Sequence, residues 1–334
     1  MLTKYFIIIF IQLLITYFAF KYYYKFSPLI ITNDEFTSFL RGKVVNGTGI
    51  LFIIIFLIFF FIYLYIFDSN FYVPEKFYIF FLALSILGLV SFFDDYKNLD
   101  PILRLITQIV CVYFSLASVP HIINFLPIKL SIIISLLFWV YIMNINNFID
   151  GADGFCATVS ISFFLLVLFV TFYLDLNLFS KFITILILPI LFVFKLFNFP
   201  PAKTFMGDAG SIFLGFLIGY CIIELSFSGL FFFAVAAYSY PIIDCSVTLL
   251  KKMARGHLPW KRLGDYYFLL PKKNRLNKNF LIVEKKIYFL IVFFSIINSS
   301  ILIFSVVLKM QYLSLVCFLL AILLVLIYRN SRKF

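Results

Sequence analysis

The chain of 334 residues is 64% hydrophobic, 22% aromatic and only 13% charged, with a mean hydropathy of +1.10 and a formal net charge of +12. So little polar surface cannot cover a globule of this size, which excludes a water-soluble domain. Five cysteines without a C-x-x-C pair, and only two histidines (His121 and His257), exclude a disulfide framework, a thiolate metal site and a histidine-rich metal centre.

Apolar runs long enough to cross a ~30 Å hydrocarbon layer recur along the whole sequence. They predict eleven spans, at about 5–24, 49–67, 77–93, 103–119, 129–146, 156–174, 181–197, 209–226, 229–250, 287–308 and 311–328. The expected fold is all-α: a polytopic integral membrane helix bundle, one transmembrane domain over 1–334. The first run, Tyr5 to Phe20, passes into "KYYYK" without a small-residue cleavage site and reads as a retained helix.

With the amino terminus outside and the carboxyl terminus cytoplasmic, 22 of the 27 lysines and arginines lie inside, leaving Lys4, Lys76, Lys129, Lys181 and Lys309 outside. Polar stretches at about 25–48, 94–104, 144–155, 198–210 and 251–286 then share the cytoplasmic face. The opposite connections hold few acids, so the chemistry is expected on the cytoplasmic side.

Taken in chain order, the first chemical cluster is "SFFDDYKNLDPILRL", where Asp94 and Asp95 stand side by side. Neighbouring carboxylates repel unless a cation or hydrogen-bond donors balance them, so the pair is either a solvated helix end or a site for a cation. Leu99, Pro101, Arg104 and Gln108 extend the pattern, and Pro101 suits the first turn of the following helix.

In "NNFIDGADGF", Asp150 and Asp153 would share a face if the stretch were helical, and Asn146 and Asn147 crowd the same mouth. An Asn, Asp and Gly-rich turn is the competing reading. In "PAKTFMGDAGSIFLG", Asp208 is expected to cap the next helix, whose first amides would face an anion, with Lys203 as a fixed cation nearby. The basic stretch from Lys251 to Lys286 sets topology or meets anionic lipid. Arg255, His257, Lys261 and Arg262 interleave there with Pro259, Trp260, Tyr266 and Tyr267, a mixture able to hold a pyrophosphate and pack on a base or sugar.

These clusters, in this order and spacing, resemble the polyprenyl-phosphate N-acetylhexosamine-1-phosphate transferases over residues 33 to 270. "FMGDAGS", "NNFIDGADG" and the D-D-x-x-x-L-x-P-x-x-R block carry the resemblance together. It implies transfer of a HexNAc-1-phosphate from a UDP-N-acetylhexosamine to polyprenyl phosphate, with Mg2+ and release of UMP, at a bacterial inner membrane. By position it makes Asp208 the Mg2+-linked aspartate and Asp94 and Asp95 the acidic pair, Asp95 a second metal ligand and Asp94 a general base or an orienting group. Asn147, Asp150, Asp153, Asn198 and Phe205 would line the donor pocket, and Lys203, Arg255, His257, Lys261 and Arg262 would steady the diphosphate.

"RGKVVNGTGI" resembles the family's glycine-rich loop without its Pro-Thr-Pro element, which leaves Lys43 as a further substrate contact. The basic loop keeps only Arg262 and Tyr266 of a His-Arg-x-His-x-Tyr pattern, which points to the surface-polysaccharide branch over the muramoyl-pentapeptide branch. Expected partners are the UDP-sugar, the lipid phosphate and membrane lipids, with a homodimer left open and no nucleic acid. A transporter is the competing class, but its acids would be sought at mid-membrane or on broken helices in paired halves.

Overall fold

The structure is a computed structural model that describes residues 2–31, 44–67, 73–119, 127–258 and 280–331. Lys43, Lys261 and Arg262 lie outside the described residues. Twelve α-helices appear among those described: α1 (Leu2–Phe26), α2 (Gly49–Phe67), α3 (Phe77–Lys97), α4 (Pro101–Ser115), α5 (Ile128–Ile149), α6 (Phe155–Tyr173), α7 (Phe179–Asn198), α8 (Gly207–Phe227), α9 (Phe231–Ala237), α10 (Ser239–Ala254), α11 (Phe280–Val307) and α12 (Leu313–Ser331). A two-residue antiparallel pair, β1 (Ile30–Ile31) and β2 (Val44–Val45), joins α1 to α2.

Nine of these helices are long and apolar enough to cross a membrane, α9 and α10 together make a tenth bent span, and Leu313–Tyr328 is a shorter apolar helix. All eleven coincide with predicted spans. Apolar segments become helices because lipid offers no partner for an unpaired backbone group.

Two expectations are corrected. The ninth span is not one helix: α9 and α10 meet at 72° around Tyr238. Pro241 has no N–H to give Ala237 and its ring crowds that carbonyl, so the helix cannot run through. The acidic and Asn-rich stretches also do not simply follow their spans. α3 runs on to Lys97 and α5 to Ile149, carrying Asp94, Asp95 and Asn147 on their last turns.

The core is built around α8, buried along nearly its whole length and in contact with α5, α3, α2, α9, α6 and α7. Its glycines let α5 come close. A Cβ on Gly215 would lie 2.6 Å from Met143 Cα, and one on Gly219 would lie 2.2 Å from Trp139 Cδ1. Small residues four apart let helix backbones approach where no hydrophobic force drives association.

Polar bonds lock the same pair. Trp139 Nε1 donates to the Phe216 carbonyl at 2.8 Å, and Asn146 Nδ2 to that of Ser211 at 2.6 Å. Asn146 also receives the Tyr238 hydroxyl at 2.5 Å, fastening the bend of the ninth span to the core.

Candidate active site

Three helix ends meet at one point: the carboxyl end of α3, the amino end of α4 and the amino end of α8. α3 stops where Asn98 turns into the left-handed region (φ 48°) and returns its N–H to the Asp94 carbonyl. α4 restarts at once, because the Asp100 side chain accepts from Ile102 N at 2.7 Å and Pro101 takes the first helical position. This tight reversal brings Arg104 back over the pair. Its Nη1 donates to Asp94 Oδ2 at 2.5 Å and to Asp208 Oδ2 at 2.9 Å, and Asp94 Oδ1 accepts from Leu99 N at 2.6 Å.

Asp208 does not cap its own helix, contrary to the sequence expectation: α8 begins at Gly207 without a side-chain cap from its own flank. The anion at its amino end is Asp95, which accepts from Asp208 N at 2.8 Å and Ala209 N at 3.1 Å. Asn46 Nδ2 adds a bond to the same carboxylate at 3.3 Å. Gly207 makes this approach possible, since it sits at φ +71° and a Cβ there would lie 2.5 Å from Asp95 Oδ2.

A second layer holds two loops beside this point. Asp150 and Asp153 lie in the turn between α5 and α6, not on a helix, so they share no helical face. Asp153 is buried and accepts from Ala202 N at 2.5 Å. Asn198, also buried, accepts from Gly154 N at 2.9 Å and donates to the Thr204 carbonyl at 2.8 Å. The chain between them turns through a cis Pro200–Pro201 bond.

β2 and the turn to α2 then pair with residues 203–206. Val45 N donates to Lys203 O, Phe205 N to Val45 O, and Gly49 N to Met206 O. Phe205 is buried in a small cluster with Val44 and Ala202, while the Lys203 side chain is exposed. From α11, Tyr288 packs edge-on against Phe199 and would meet any Cβ placed on Gly154.

Beside the carboxylates opens a cleft of about 360 Å3 between α3, α4, α5, α8 and α10. Arg104, Gln108, Asn144, Asn147 and Asp208 supply much of its polar lining, with Ser91, Thr107 and Tyr141, and Asn144 Nδ2 donates to Gln108 Oε1 at 2.7 Å. The remaining wall is mainly apolar, including Leu87, Val90, Leu105, Leu137, Val140 and Leu249.

Of the predicted residues, the structure brings Asp94, Asp95 and Asp208 into one network and puts Asn147 on the cleft that Asp208 lines. Asp150 stands half-buried at the end of α5. Arg255 is exposed at the end of α10, and His257 follows it with its N–H on the Lys252 carbonyl. Arg104 carries more than its place in a spacing pattern suggested. Its signal was available: an arginine in a helix's first turn opposes the helix dipole and needs a carboxylate to hold it there. Asn46 and Asn144 carried no such signal.

Among the described residues no three His, Cys, Asp or Glu side chains converge as a ready-made metal cage. The donor set nevertheless fits Mg2+, which is commonly held by one or two carboxylates and completed by substrate phosphates and water. Asp208, with Asp95 beside it and the cleft in front, offers that arrangement.

Residues 77–226, which include the α3–α4 reversal, the α5–α6 turn and α8, match the model of glycosyl transferase family 4. The chain is 32% identical to the phospho-N-acetylmuramoyl-pentapeptide-transferase of Staphylococcus haemolyticus over 151 residues, 38% of this chain and 47% of that protein. It is 30% identical to the protein of the same name from Staphylococcus carnosus over 173 residues, 45% of this chain and 54% of that one. The chain thus spans about half the length of the curated relatives it matches.

Proposed function

We propose a reaction from one premise, that residues 77–226 of this chain belong to glycosyl transferase family 4, the family of polyprenyl-phosphate hexosamine-1-phosphate transferases. The protein transfers a HexNAc-1-phosphate from a UDP-N-acetylhexosamine to polyprenyl phosphate. The observation that carries this reading is the cleft. Its wall is mainly apolar, and it ends on Asp208 and Arg104, which suits a substrate with a hydrocarbon tail and a charged head.

In the reaction an oxygen of the lipid phosphate attacks the β-phosphorus of the donor. The bond from that phosphorus to the bridging oxygen breaks, and UMP departs with its electrons, leaving a polyprenyl-diphosphate sugar. Bound at Asp208 and Asp95, Mg2+ would supply charge stabilisation for the phosphoryl oxygens. Asp95 fixes the first turn of α8 and with it the position of Asp208.

Asp94 has one oxygen on Leu99 N and the other on Arg104, so it holds the start of α4 against the end of α3, while Arg104 itself reaches Asp208 on α8. A general base is scarcely needed, because a phosphate monoester with a second pKa near ~6 is already mostly a dianion at neutral pH. Asn147 lies at the cleft, whereas Asp153 and Asn198 set the shape of the loops around the donor. By the sequence pattern, Asp150, Lys203, Phe205, Arg255 and His257 would serve the donor, and so would Lys43, Lys261 and Arg262, which lie outside the described residues. The site faces the cytoplasm of a bacterial inner membrane, as the distribution of lysine and arginine supports, and the product begins a surface-polysaccharide or other envelope glycan.

The relatives' names favour a second reading, in which the transferred unit is a phospho-N-acetylmuramoyl-pentapeptide. Radiolabel transfer to polyprenyl phosphate from a panel of UDP-N-acetylhexosamines and the UDP-linked muramoyl-pentapeptide, with and without Mg2+, decides between them. No transfer from any donor, with UMP absent, would remove both.

A further inference from the structure

Arg104 stands where the carboxylates and the cleft meet. A guanidinium usually presents its planar fork to one carboxylate through two parallel bonds. Here a single nitrogen reaches two acids on two other helices, at 2.5 Å and 2.9 Å. Asp94 and Asp208 keep 6% and 14% of their side-chain surface exposed, whereas Arg104 keeps 29% and lines the cleft.

The bridge conflicts with the proposed chemistry. A divalent ion at Asp208 would stand against a guanidinium bonded to that same carboxylate, and two cations so close repel strongly. One must yield. Asp94 can keep Arg104 tethered while its outer face turns into the cleft, and the group that arrives there carries a phosphate.

We infer that Arg104 is a cation-displaced phosphate receptor: it neutralises Asp208 before a divalent ion arrives and, once displaced, offers its guanidinium to the phosphate head of the lipid in the cleft. The inference rests on the metal-dependent reading above and adds a coupling to it. A divalent ion that releases Arg104 strengthens lipid-phosphate binding, and by linkage the lipid strengthens binding of the ion to the same extent.

The test uses the purified full chain in detergent and needs no turnover. Mn2+ binding is followed by electron paramagnetic resonance without substrates, and farnesyl phosphate binding by calorimetry at zero and saturating Mg2+. For the unaltered protein, farnesyl phosphate affinity should rise roughly tenfold with Mg2+. For Arg104→Gln, Mn2+ should bind roughly tenfold more tightly because the competing cation is gone, and most of the Mg2+ effect on farnesyl phosphate should be lost, leaving only direct attraction between ion and phosphate.

Arg104→Lys retains the charge but not the fork. It should keep the weaker Mn2+ affinity and lose most of the Mg2+-dependent gain in farnesyl phosphate binding. Unchanged Mn2+ affinity in Arg104→Gln, or a full Mg2+ effect in either variant, overturns the inference while the transferase reading stands. Absence of Mn2+ binding to the unaltered protein overturns the metal-dependent reading, and the inference with it.

Discussion

The carboxylate of Asp95 closes the amino end of a helix to which it does not belong, accepting hydrogen bonds from the amides of Asp208 and Ala209 at 2.8 and 3.1 Å. A helix cap normally comes from the residue just before the helix. Because α3 supplies this one, the cap also fixes the distance between the acidic pair and Asp208. Asp95→Ala should cost about 1–2 kcal/mol of stability and, by shifting Asp208, slow UMP release roughly 100-fold. Asp95→Asn keeps an acceptor for one of the two amides but sets an NH2 against the other, and should fall between the original and Asp95→Ala. Melting temperature in detergent measured beside turnover checks both, and an Asp95→Ala protein that melts like the original would discard the cap.

Gly207 answers to two constraints at once, a left-handed backbone at φ +71° and the Asp95 carboxylate 2.5 Å from where a Cβ would stand. Gly207→Ala should therefore destabilise by about 1–3 kcal/mol. Its activity should fall in parallel with that of Asp95→Ala. The double variant Gly207→Ala, Asp95→Ala should show less than the summed loss, because removing the carboxylate relieves the clash. Strict additivity of the two melting shifts would refute the shared contact.

Much of this arrangement was legible in the sequence. Apolar run length locates the spans, and the spacing of polar clusters after alternate spans predicts that they share one end of the bundle. The network of Asp94, Asp95, Arg104 and Asp208 agrees with that. What periodicity could not show is which acid caps which helix. Asp208 has the composition of a self-cap, but Gly207 turns the chain so that a carboxylate 113 residues earlier takes the role. Likewise, three-residue spacing cannot tell that Asp150 and Asp153 lie in a turn, because helix α5 ends at Ile149, just before the glycines. The first is a tertiary contact deciding what local preference left open; the second is a local helix end that the sequence left open between helix and turn.

Asn198 separates a structural from a ligand-binding role. Its side chain joins Gly154 N to the Thr204 carbonyl, tying the α5–α6 turn to the segment before α8. Asn198→Ala leaves both buried backbone groups without that partner and should cost about 2–4 kcal/mol in all. Asn198→Asp keeps the acceptor for Gly154 but sets a second oxygen against the Thr204 carbonyl in a buried place, and should cost at least as much. If instead the melting temperature holds and only the KM for the nucleotide-sugar rises, Asn198 touches the donor and the latch is incidental.

The seam between α5 and α8 makes a prediction remote from the chemistry. Gly219→Val would drive a side chain into Trp139, whose ring lies 2.2 Å from the Cβ position. Trp139 would have to leave its bond to the Phe216 carbonyl. Overpacking of this kind typically costs about 1–3 kcal/mol, and in lipid the lost polar bond adds about 0.6–1.7 kcal/mol. Trp139→Ala should rescue part of the loss in the double variant, as measured by unfolding in detergent. A Gly219→Val protein as stable as the original would show that the two helices do not pack this closely.

The cleft offers the sharpest separation of the two substrates. Val140 is on its wall, 6% exposed, one helical turn before Asn144 on α5. Val140→Phe fills space that a prenyl chain would need under the proposed function and changes nothing charged. The KM for the lipid phosphate should rise roughly tenfold, with the KM for the UDP-sugar and the Mg2+ requirement unchanged, because binding of the tail is lost without touching the reacting atoms. Shortening the acceptor should narrow the difference, since a lipid that does not reach Val140 cannot sense its replacement. A variant that weakens both substrates equally would move the lipid to another surface of the bundle.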